Sequence, residues 1–400
     1  MPRILLTDGE ARSALAVVRS LGRAGHDVAV CSATGRSLAG ASRHCRADLR
    51  VPDPAASLER FADAVARIVD ERGIEVVIPV TDRTTGVVPL LRARDAPPVV
   101  AFPDYDTYLR ASDKRGLLEA AAALGVPVPA QVVLERPPAD AAESADRLAP
   151  AGFPVVLKPA RSAVQHGGRV TSFGVSFAES AGELARRLAE IPEAAYPLLI
   201  QERIAGTGAG VFVLARGGRV VASFAHRRIR EKPPTGGVSV YRESVAVPPA
   251  LAAHARRIME HYCWTGVAMI EFKLEHGTGV PYLMEVNGRF WGSLQLAIDA
   301  GVDFPRLLVD AALGCELPQI DDYQLGRRSR WLWGDVDHLL WILRTPRAAR
   351  ASHPGLPGRL GALARFLVPW RPGDRLEVLR LDDPRPFFRE TVQWFRALRA

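Results

Sequence analysis

The N-terminal region alternates between short apolar runs and amphipathic stretches, and this alternation constrains the fold more than any other feature of the chain. Apolar runs at Ile4–Thr7, Val28–Cys31 and Val76–Val80 predict strands, and the stretches Glu10–Ala24 and Leu58–Glu71 predict helices. Strands that alternate with helices pair in parallel, with helices covering the faces of the sheet. The sequence therefore predicts a small, doubly wound domain at this end.

Two pairs of polar residues follow the first and third of these strands, at Thr7 and Asp8 and at Thr81 and Asp82. In doubly wound sheets, ligands bind beyond the carboxyl ends of the strands, so these residues are candidates for ligand contacts. They are equally good candidates for helix caps. No G-x-G-x-x-G sequence follows the first strand, so a dinucleotide-binding fingerprint is absent.

Length and composition indicate a folded protein with more than one domain. A chain of 400 residues with 48% hydrophobic residues is too long for one core and too apolar to be disordered or fibrous. The spacing of its four cysteines matches neither a zinc site nor a disulfide scaffold, which predicts reduced thiols and a cytoplasmic location. We expect neither a signal peptide nor a membrane-spanning segment.

The chain has 52 basic and 44 acidic residues, for a net charge of +8. Nearly all the basic residues are arginines that are spread along the chain, so we expect a solvated surface and neither a nucleic-acid nor a membrane partner. Only four lysines occur, Lys114, Lys158, Lys232 and Lys273. Lysine supplies a compact point charge, which suits a phosphate site, although compositional bias is an equally good explanation.

Beyond the N-terminal domain the pattern changes to paired strands. A helix over Lys114–Leu124, capped by Ser112 and Asp113, precedes a compact lobe. In this lobe the sequence predicts strands at Pro154–Lys158, Arg169–Phe177 and Leu198–Gln201 and a helix at Ser180–Ile191. A larger lobe follows. The sequence predicts strands at Gly210–Arg216 and Arg219–His226, a loop at Glu231–Ser239, a helix at Leu251–Tyr262 and a hairpin at Val267–Asn287. The final region, rich in Arg, Pro and Trp, indicates only helical pieces.

The fold class is therefore α/β and α+β. We predict four units, namely a Rossmann-like domain over 1–110, a small lobe over 111–200, a large lobe over 201–320 and a helical C-terminal extension over 321–400.

The hairpin near residue 270 carries acidic residues in apolar strands. The two-residue period places Glu271 with Met269 and Lys273 on one face of the first strand. On the return strand it places Leu283, Glu285 and Asn287 on one face. Pairing Leu274 near Val280 sets Glu271 opposite Leu283 and diagonal to Glu285, roughly 7 to 8 Å away.

Two carboxylates and an amide oxygen that converge in this way would repel one another without a cation between them. An oxygen-only set favours a hard ion, so Glu271, Glu285 and Asn287 are candidate ligands of Mg²⁺, with Mn²⁺ as a substitute. The alternative is that Glu271 forms an exposed ion pair with Lys273 or an arginine at the edge of the sheet.

The segment Met284-Glu-Val-Asn-Gly-Arg-Phe-Trp-Gly-Ser293 resembles the metal-binding signature of the ATP-grasp superfamily. Three further motifs resemble the superfamily in the same order, and they are Asp113-Lys114, Phe153-Pro-Val-Val-Leu-Lys-Pro159 and Leu199-Ile-Gln-Glu-Arg-Ile204. The resemblance covers about residues 1 to 320 and is strongest to bacterial carboxylate-amine ligases, with biotin carboxylase and D-alanine-D-alanine ligase more distant. It implies ATP bound between two lobes, behind a Rossmann-like pre-ATP-grasp domain.

The resemblance also implies roles for individual residues. Lys114 and Lys158 would contact the phosphates, and Gly167 and Gly168 would lie in a phosphate-covering loop, although a glycine pair is also typical of a plain turn. Gln201, Glu202 and Ile204 would form the adenine-binding hinge between the lobes. The segment Gly206-Thr-Gly-Ala-Gly210 lacks the carboxylate that many relatives use for the ribose, which leaves that contact unassigned.

The remaining candidates concern the reacting groups. Arg289 is the candidate for stabilising a transferring phosphoryl group, alongside Lys158. Ser293 would hold a substrate carboxylate or simply cap a helix, and Trp291 would wall the pocket. Arg228 and Arg230 would bind a carboxylate substrate or lie solvated, with Gly236 and Gly237 as the hinge of a lid.

The function implied is ATP-dependent ligation of a small carboxylate to a small amine through an acyl phosphate, with release of ADP and phosphate. Two alternatives stay open, namely a phosphotransferase or carbamoyl- or carboxyl-phosphate enzyme on the same fold, and a nucleotide-binding protein without catalysis. A homodimer is compatible with each of these three functions.

Overall fold

The computed structural model describes residues 1–140, 145–161, 163–166, 169–347, 350, 355–367 and 373–399. The N-terminal domain has a five-stranded parallel sheet in the order β3-β2-β1-β4-β5. Its strands are β1 Arg3–Leu6, β2 Asp27–Ser32, β3 Ala47–Arg50, β4 Val76–Ile78 and β5 Val99–Val100. Its helices are α1 Arg12–Arg23, α2 Leu58–Arg72 and α3 Val87–Arg92. The predicted doubly wound domain is confirmed.

Local sequence signals fix the ends of α2. The Ser57 hydroxyl accepts a hydrogen bond from the backbone N–H of Arg60, which satisfies one of the free donors in the first turn. At the other end Gly73 takes a left-handed conformation, with φ of 56°, which a residue with a side chain rarely adopts. Helix α2 therefore begins and ends where the sequence predicts.

A small lobe follows the helices α4 Tyr105–Ser112 and α5 Lys114–Ala123. Its antiparallel sheet has the order β10-β7-β11-β6, formed by β6 Gln131–Leu134, β7 Val155–Pro159, β10 Ser176–Ala178 and β11 Leu198–Glu202. A separate hairpin of β8 Ala163–His166 and β9 Arg169–Ser172 and the helix α6 Ala181–Glu190 complete it. The predicted strand Arg169–Phe177 is therefore two strands, in different sheets.

The large lobe is a seven-stranded sheet in the order β16-β15-β12-β13-β14-β17-β18. Its first five strands in the chain are β12 Gly206–Arg216, β13 Arg219–Lys232, β14 Val238–Val245, β15 Gly266–Glu275 and β16 Pro281–Asn287. The helices α7 Pro249–His261, α8 Leu294–Ala300 and α9 Phe304–Ala312 pack with it. Strand β13 runs past His226 to Lys232, so the predicted loop Glu231–Ser239 is reduced to a short turn between β13 and β14.

The C-terminal extension is helical, as predicted, with α10 Leu332–Arg344, α11 Arg359–Leu367 and α12 Arg385–Arg399. It also contributes two short strands to the large sheet, β17 Arg328–Arg330 and β18 Arg375–Leu376. Their arginine-rich sequences have no apolar alternation, so sequence patterns did not indicate them. No helix in the described ranges is long and apolar enough to span a membrane. The four domain boundaries stay predictions.

A buried ion pair ties the extension to the N-terminal domain. The guanidinium of Arg19 on α1 donates to the Asp383 carboxylate at 2.8 Å and to the Val378 carbonyl at 2.8 Å. Both charged side chains are only 1% exposed. The Ser42 hydroxyl also donates to Asp383, at 2.7 Å. Because such charges are costly to bury alone, each partner depends on the other.

We expect Asp383→Ala to lower the free energy of unfolding by about 3 kcal/mol, because Arg19 stays buried without its partner. The neighbouring pair of Arg23 and Asp382 provides a matched control, since its side chains are 40% and 53% exposed. Asp382→Ala should change the free energy by less than about 1 kcal/mol. Urea denaturation of the full chain measures both variants, and equal losses would contradict the role of burial.

Candidate nucleotide and metal site

Strands β15 and β16 bring the predicted metal ligands together. Glu271 lies directly opposite Glu285 across the ladder, and Asn287 lies opposite Met269. The predicted diagonal arrangement is wrong, because the register shifts at a β-bulge next to Glu271 and Leu283 therefore pairs with Phe272. Directly opposed residues have Cβ atoms about 4.5 to 5.5 Å apart, which is closer than the expected diagonal distance.

The bulge also changes which side chains share a face. On β15 the predicted alternation holds, with Ile270 and Phe272 buried and Glu271 partly exposed. On β16 Leu283 and Val286 are both buried, so Leu283 does not share a face with Glu285 as predicted. The bulge therefore keeps Glu285 beside Glu271 while the apolar residues on either side stay in the core.

Positive side chains from other elements balance the two carboxylates. The guanidinium of Arg228 on β13 donates to Glu271 at 2.6 Å, and the Lys114 ammonium at the start of α5 lies 3.6 Å from Glu285. The Asn287 amide donates to Glu285 at 2.9 Å. Burial acts to raise the pKa of Glu285, but Lys114 and the Asn287 hydrogen bond outweigh it, so the pKa is lowered. Burial raises the pKa of Glu271.

The alternative interpretation of Glu271 is correct in one respect, since this carboxylate does pair with an arginine. The pair is not at an edge of the sheet, however, because β15 lies between β12 and β16. Arg228 also donates to Glu231 at 3.0 Å and is therefore shared between two carboxylates.

Arg289 is held in place by the N-terminal domain. Its guanidinium donates to Asp82 at 2.9 Å and to the Asn287 side-chain oxygen at 3.0 Å. The Tyr108 hydroxyl donates to the other Asp82 oxygen at 3.0 Å. Between Asn287 and Arg289 the chain passes so close to Trp264 that a Cβ on Gly288 would come within 2.5 Å of the ring. This turn therefore requires glycine and fixes the direction of Arg289.

The predicted ligand residues of the N-terminal domain have different outcomes. Asp82 reaches the site through Arg289, whereas Asp8 binds the neighbouring loop, accepting from Thr84 at 2.5 Å and from the Thr81 backbone at 3.0 Å. Burial raises the pKa of Asp8 despite these hydrogen bonds. The helix-cap alternative is wrong, because neither α1 nor α3 has a side-chain cap at its start.

Lys158 projects from β7 toward the hairpin. Its ammonium lies 3.7 Å from the Met284 sulfur, one residue before Glu285. Burial lowers the pKa of Lys158 to about 8, although Glu285 acts in the opposite direction. The backbone N–H of Lys114 donates to the Ala160 carbonyl at 2.9 Å, just past the end of β7. The two predicted phosphate lysines therefore lie against the same hairpin.

The predicted hinge joins the two lobes. Strand β11 ends at Glu202 and β12 begins at Gly206, so the chain passes from one sheet to the other in three residues. Ile204 is buried in this link, and the Gln201 amide donates to the Gln131 side chain at 2.8 Å. Gly167 and Gly168 lie outside the described residues, so their predicted role is not tested.

The two candidate substrate arginines separate. Arg228 faces Glu271, but Arg230 donates to Asp335 of α10 at 2.7 Å and to the Arg365 carbonyl at 2.9 Å. Its ion pair with the buried Asp335 assigns Arg230 to the contact with the C-terminal extension. Gly236 and Gly237 lie in the turn between β13 and β14, and no described feature marks that turn as a lid.

Ser293 contacts His226, a residue for which the sequence predicted no role. Its hydroxyl lies 2.9 Å from Nε2 of His226, and both side chains are buried. Ser293 is the N-cap residue of α8, as the cap alternative predicts, but its hydroxyl makes no cap hydrogen bond to that helix. His226 Nδ1 has no partner among the described residues, so the pair lacks the carboxylate of a catalytic triad. Trp291 is 2% exposed and packs on Phe212 in the core.

The donor set fits a hard divalent ion. Two opposed carboxylates and an amide oxygen offer oxygen ligands alone, and like charges directly across a ladder are destabilising unless a cation relieves them. Across the described ranges no group of three or more His, Cys, Asp or Glu residues could hold a metal. The hairpin site, with the Asn287 amide as the third donor, is compatible with a hard divalent ion such as Mg²⁺ or Mn²⁺.

Comparisons with known proteins point to one fold. A family model described as ATP-grasp in the biosynthetic pathway with Ter operon matches residues 194–333, which is less than half of the chain. No curated protein matches the sequence. Solved structures do match, at sequence identities that establish the fold alone.

Biotin carboxylase from Campylobacter jejuni, in a β-γ-ATP complex, has a TM-score of 0.64 and 19% identity over 82% of this chain and 74% of its own. The biotin carboxylase domain of Hydrogenobacter thermophilus 2-oxoglutarate carboxylase, with MgADP, ADP and bicarbonate, has a TM-score of 0.63 and 18% identity over 82% and 73%. L-amino acid ligase from Bacillus licheniformis has a TM-score of 0.56 and 16% identity over 78% and 74%.

These solved structures are similar in fold to most of this chain, and the family model matches part of the large lobe and its surroundings. The chain therefore has the ATP-grasp fold, and the resemblance to the ATP-grasp superfamily that its sequence indicates is confirmed.

Proposed function

We propose that this protein is an ATP-dependent ligase that joins a small carboxylate to a small amine through an acyl phosphate, releasing ADP and phosphate. The observation that carries the proposal is the opposed pair of Glu271 and Glu285, with Lys114, Lys158 and Arg289 around it. Paired acidic oxygens beside several cations suit a bound metal and a polyphosphate better than they suit an empty surface.

The nucleotide would lie between the lobes. Lys158 from the small lobe and Lys114 from α5 would contact its phosphates, and the link through Glu202 and Ile204 would receive the adenine. The same fold binds ATP or ADP in the Campylobacter and Hydrogenobacter proteins, as their names state, which supports this placement.

Glu271, Glu285 and Asn287 would hold Mg²⁺, with Mn²⁺ as a substitute. When bound, such an ion neutralises charge on phosphate oxygens. The protein's own side chains would do the rest. Arg289, whose orientation Asp82 fixes, would stabilise charge on the transferring phosphoryl group, and the Lys158 ammonium would act as a second positive charge on the same group.

In the first step a substrate carboxylate oxygen bonds to the terminal phosphorus of ATP while the bond to ADP breaks, which gives an acyl phosphate. In the second step an amine attacks the acyl carbon, loses a proton and expels phosphate. Both steps need positioning and charge stabilisation, and neither needs a covalent bond to the protein. Arg228 and Ser293 are the proposed contacts for the substrate carboxylate.

The four cysteines are unpaired thiols, which supports a reducing compartment such as the cytoplasm as the place of the reaction.

The choice of a carboxylate and an amine as substrates is supported by the similarity in fold to the L-amino acid ligase of Bacillus licheniformis, whose name states that kind of reaction.

Hydroxylamine trapping distinguishes the proposed reaction from a phosphotransferase. A screen of small carboxylates with MgATP and hydroxylamine should yield a hydroxamate and equimolar phosphate for the true substrate, because hydroxylamine intercepts an acyl phosphate. A stable phosphorylated product with no amine requirement would instead support the phosphotransferase. Nucleotide binding without any turnover would support the non-catalytic alternative.

Removing one carboxylate from the hairpin tests the metal ligands. We expect Glu285→Gln to lower kcat/KM for phosphate release at least about a hundredfold, because the variant loses one of the two negatively charged ligands of the divalent ion. Glu275→Gln, at the far end of β15, is the matched control and should stay within about twofold of the unmodified protein. Near-normal activity in Glu285→Gln, with its fold intact, would contradict the assignment.

Selective acetylation tests the placement of Lys158 without any knowledge of the substrate. Because the pKa of Lys158 is about 8 and that of an ordinary lysine is about 10.4, Lys158 carries more neutral amine near pH 8 than an ordinary lysine and should be acetylated there. Its rate should rise with pH and level off above its pKa. MgATP should suppress labelling of Lys158 and leave Lys232 unchanged, as measured by mass spectrometry. Equal labelling with and without nucleotide would contradict the placement.

A further inference from the structure

The positive charge of the chain is concentrated at its C-terminal end. Residues 341–400 contain twelve arginines, no lysine and five acidic residues, a net charge of +7 out of +8 for the whole chain. The preceding 340 residues are therefore almost neutral. Arginines occur along the whole chain, as expected, but the excess of basic over acidic residues lies almost entirely in this segment.

Three of the five acidic residues are used inside the protein. Glu377 accepts from Arg12 at 2.7 Å and pairs with Arg242, Asp383 pairs with the buried Arg19, and Glu390 accepts from the Trp331 indole at 2.8 Å. Their charges face inward. The outward surface of residues 341–400 is therefore more basic than the composition of that segment suggests.

Two helices of this segment expose apolar side chains at helical spacing. On α12, Phe388, Val392 and Phe395 are 63%, 50% and 49% exposed and lie on one face, at intervals of four and three residues. On α11, Leu360 and Leu367 are 84% and 68% exposed. An apolar stripe of this kind on a monomer marks an interaction surface.

Packing on the other side fixes which way these helices face. Trp394 of α12 stacks on Trp333 of α10 with ring centroids 4.3 Å apart, and Ala362 of α11 packs with Leu339 and Ile342 of α10. Helix α10 thus anchors both helices. The exposed stripes are the faces left over after that packing.

Exposed arginines accompany both stripes, namely Arg359 and Arg365 on α11 and Arg385 and Arg396 on α12. Phenylalanine and leucine on one face with arginine beside them is typical of helices that lie in the plane of a membrane surface. The apolar side chains enter the boundary between headgroups and acyl chains, and the arginines attract anionic headgroups.

We propose that α12 forms a docking surface for an anionic lipid membrane. A second copy of the chain fits less well, because two segments of +7 would repel each other. Duplex DNA would be attracted by the arginines, but its bases are already stacked on one another and do not take up the exposed phenylalanines. The proposal departs from the expectation of no membrane partner and is independent of the reaction at the hairpin.

The test is flotation of the purified full chain with lipid vesicles. The protein should float with mixed phosphatidylcholine and phosphatidylglycerol vesicles and stay behind with phosphatidylcholine alone. Raising the salt from about 0.1 M to about 1 M should weaken binding, since the Debye length falls from about 10 Å to about 3 Å.

Two variants separate the apolar and charged contributions. Phe388→Ser with Phe395→Ser should weaken vesicle binding more than about tenfold. Arg385→Gln with Arg396→Gln should weaken it by about thirtyfold, at roughly fivefold for each arginine. Leu313→Ser with Arg67→Gln, also at exposed positions, is the matched control and should bind like the unmodified protein. The arginine variant and the control should keep the thermal midpoint, because their changed side chains are exposed. Phe395 is half-buried beside Trp333, so vesicle binding by the phenylalanine variant is measured below its own thermal midpoint.

The proposal is overturned if the protein ignores anionic vesicles, or if it binds neutral vesicles equally well. It is also overturned if the phenylalanine variant binds vesicles normally while the arginine variant loses binding to duplex DNA, which would identify a nucleic-acid surface. A dimer by light scattering that the phenylalanine variant converts to a monomer, with no vesicle binding, would identify an interface between copies instead.

Discussion

Two like charges face each other across neighbouring strands, and the arrangement of the cleft follows from that contact. Glu271 and Glu285 are brought together by the pairing of β15 with β16, and their repulsion is offset by Arg228 from β13 and Lys114 from α5. These cations belong to different parts of the chain. The carboxylates are therefore stabilised side by side when the large lobe and α5 are both in place, which links the folding of these parts to the chemistry of the hairpin.

The N-terminal domain and the C-terminal extension also form ion pairs between buried or partly buried side chains. Asp82 orients Arg289 from the N-terminal domain, and Asp383 holds Arg19 from the C-terminal extension. Burial makes each of these contacts costly to break, because removal of one partner leaves a charge without compensation. The N-terminal domain thus orients one side chain of the site, and the extension is bound to that domain. The candidate metal ligands themselves all lie on the large lobe.

Regular periodicity made most of the fold predictable. Strands such as β1 and β15 and helices such as α2 have apolar patterns and end signals that belong to their own residues. The register of the hairpin was not predictable, because a β-bulge is set by packing on both sides of the sheet. Contacts such as that between Asp82 and Arg289 join residues far apart in the chain, and no local pattern pairs them. The hydrogen bond between His226 and Ser293 was not predictable for the same reason, since these residues are also far apart in the chain.

The central claim is that the opposed carboxylates hold a divalent ion next to a nucleotide. The most direct measurement is anomalous diffraction from crystals grown with Mn²⁺ and a non-hydrolysable ATP analogue. The account predicts an Mn²⁺ peak within about 2.0 to 2.6 Å of oxygens of both Glu271 and Glu285, with the phosphates beside Lys158. A metal bound elsewhere, or a nucleotide bound with the two carboxylates still held only by Arg228 and Lys114, would contradict it.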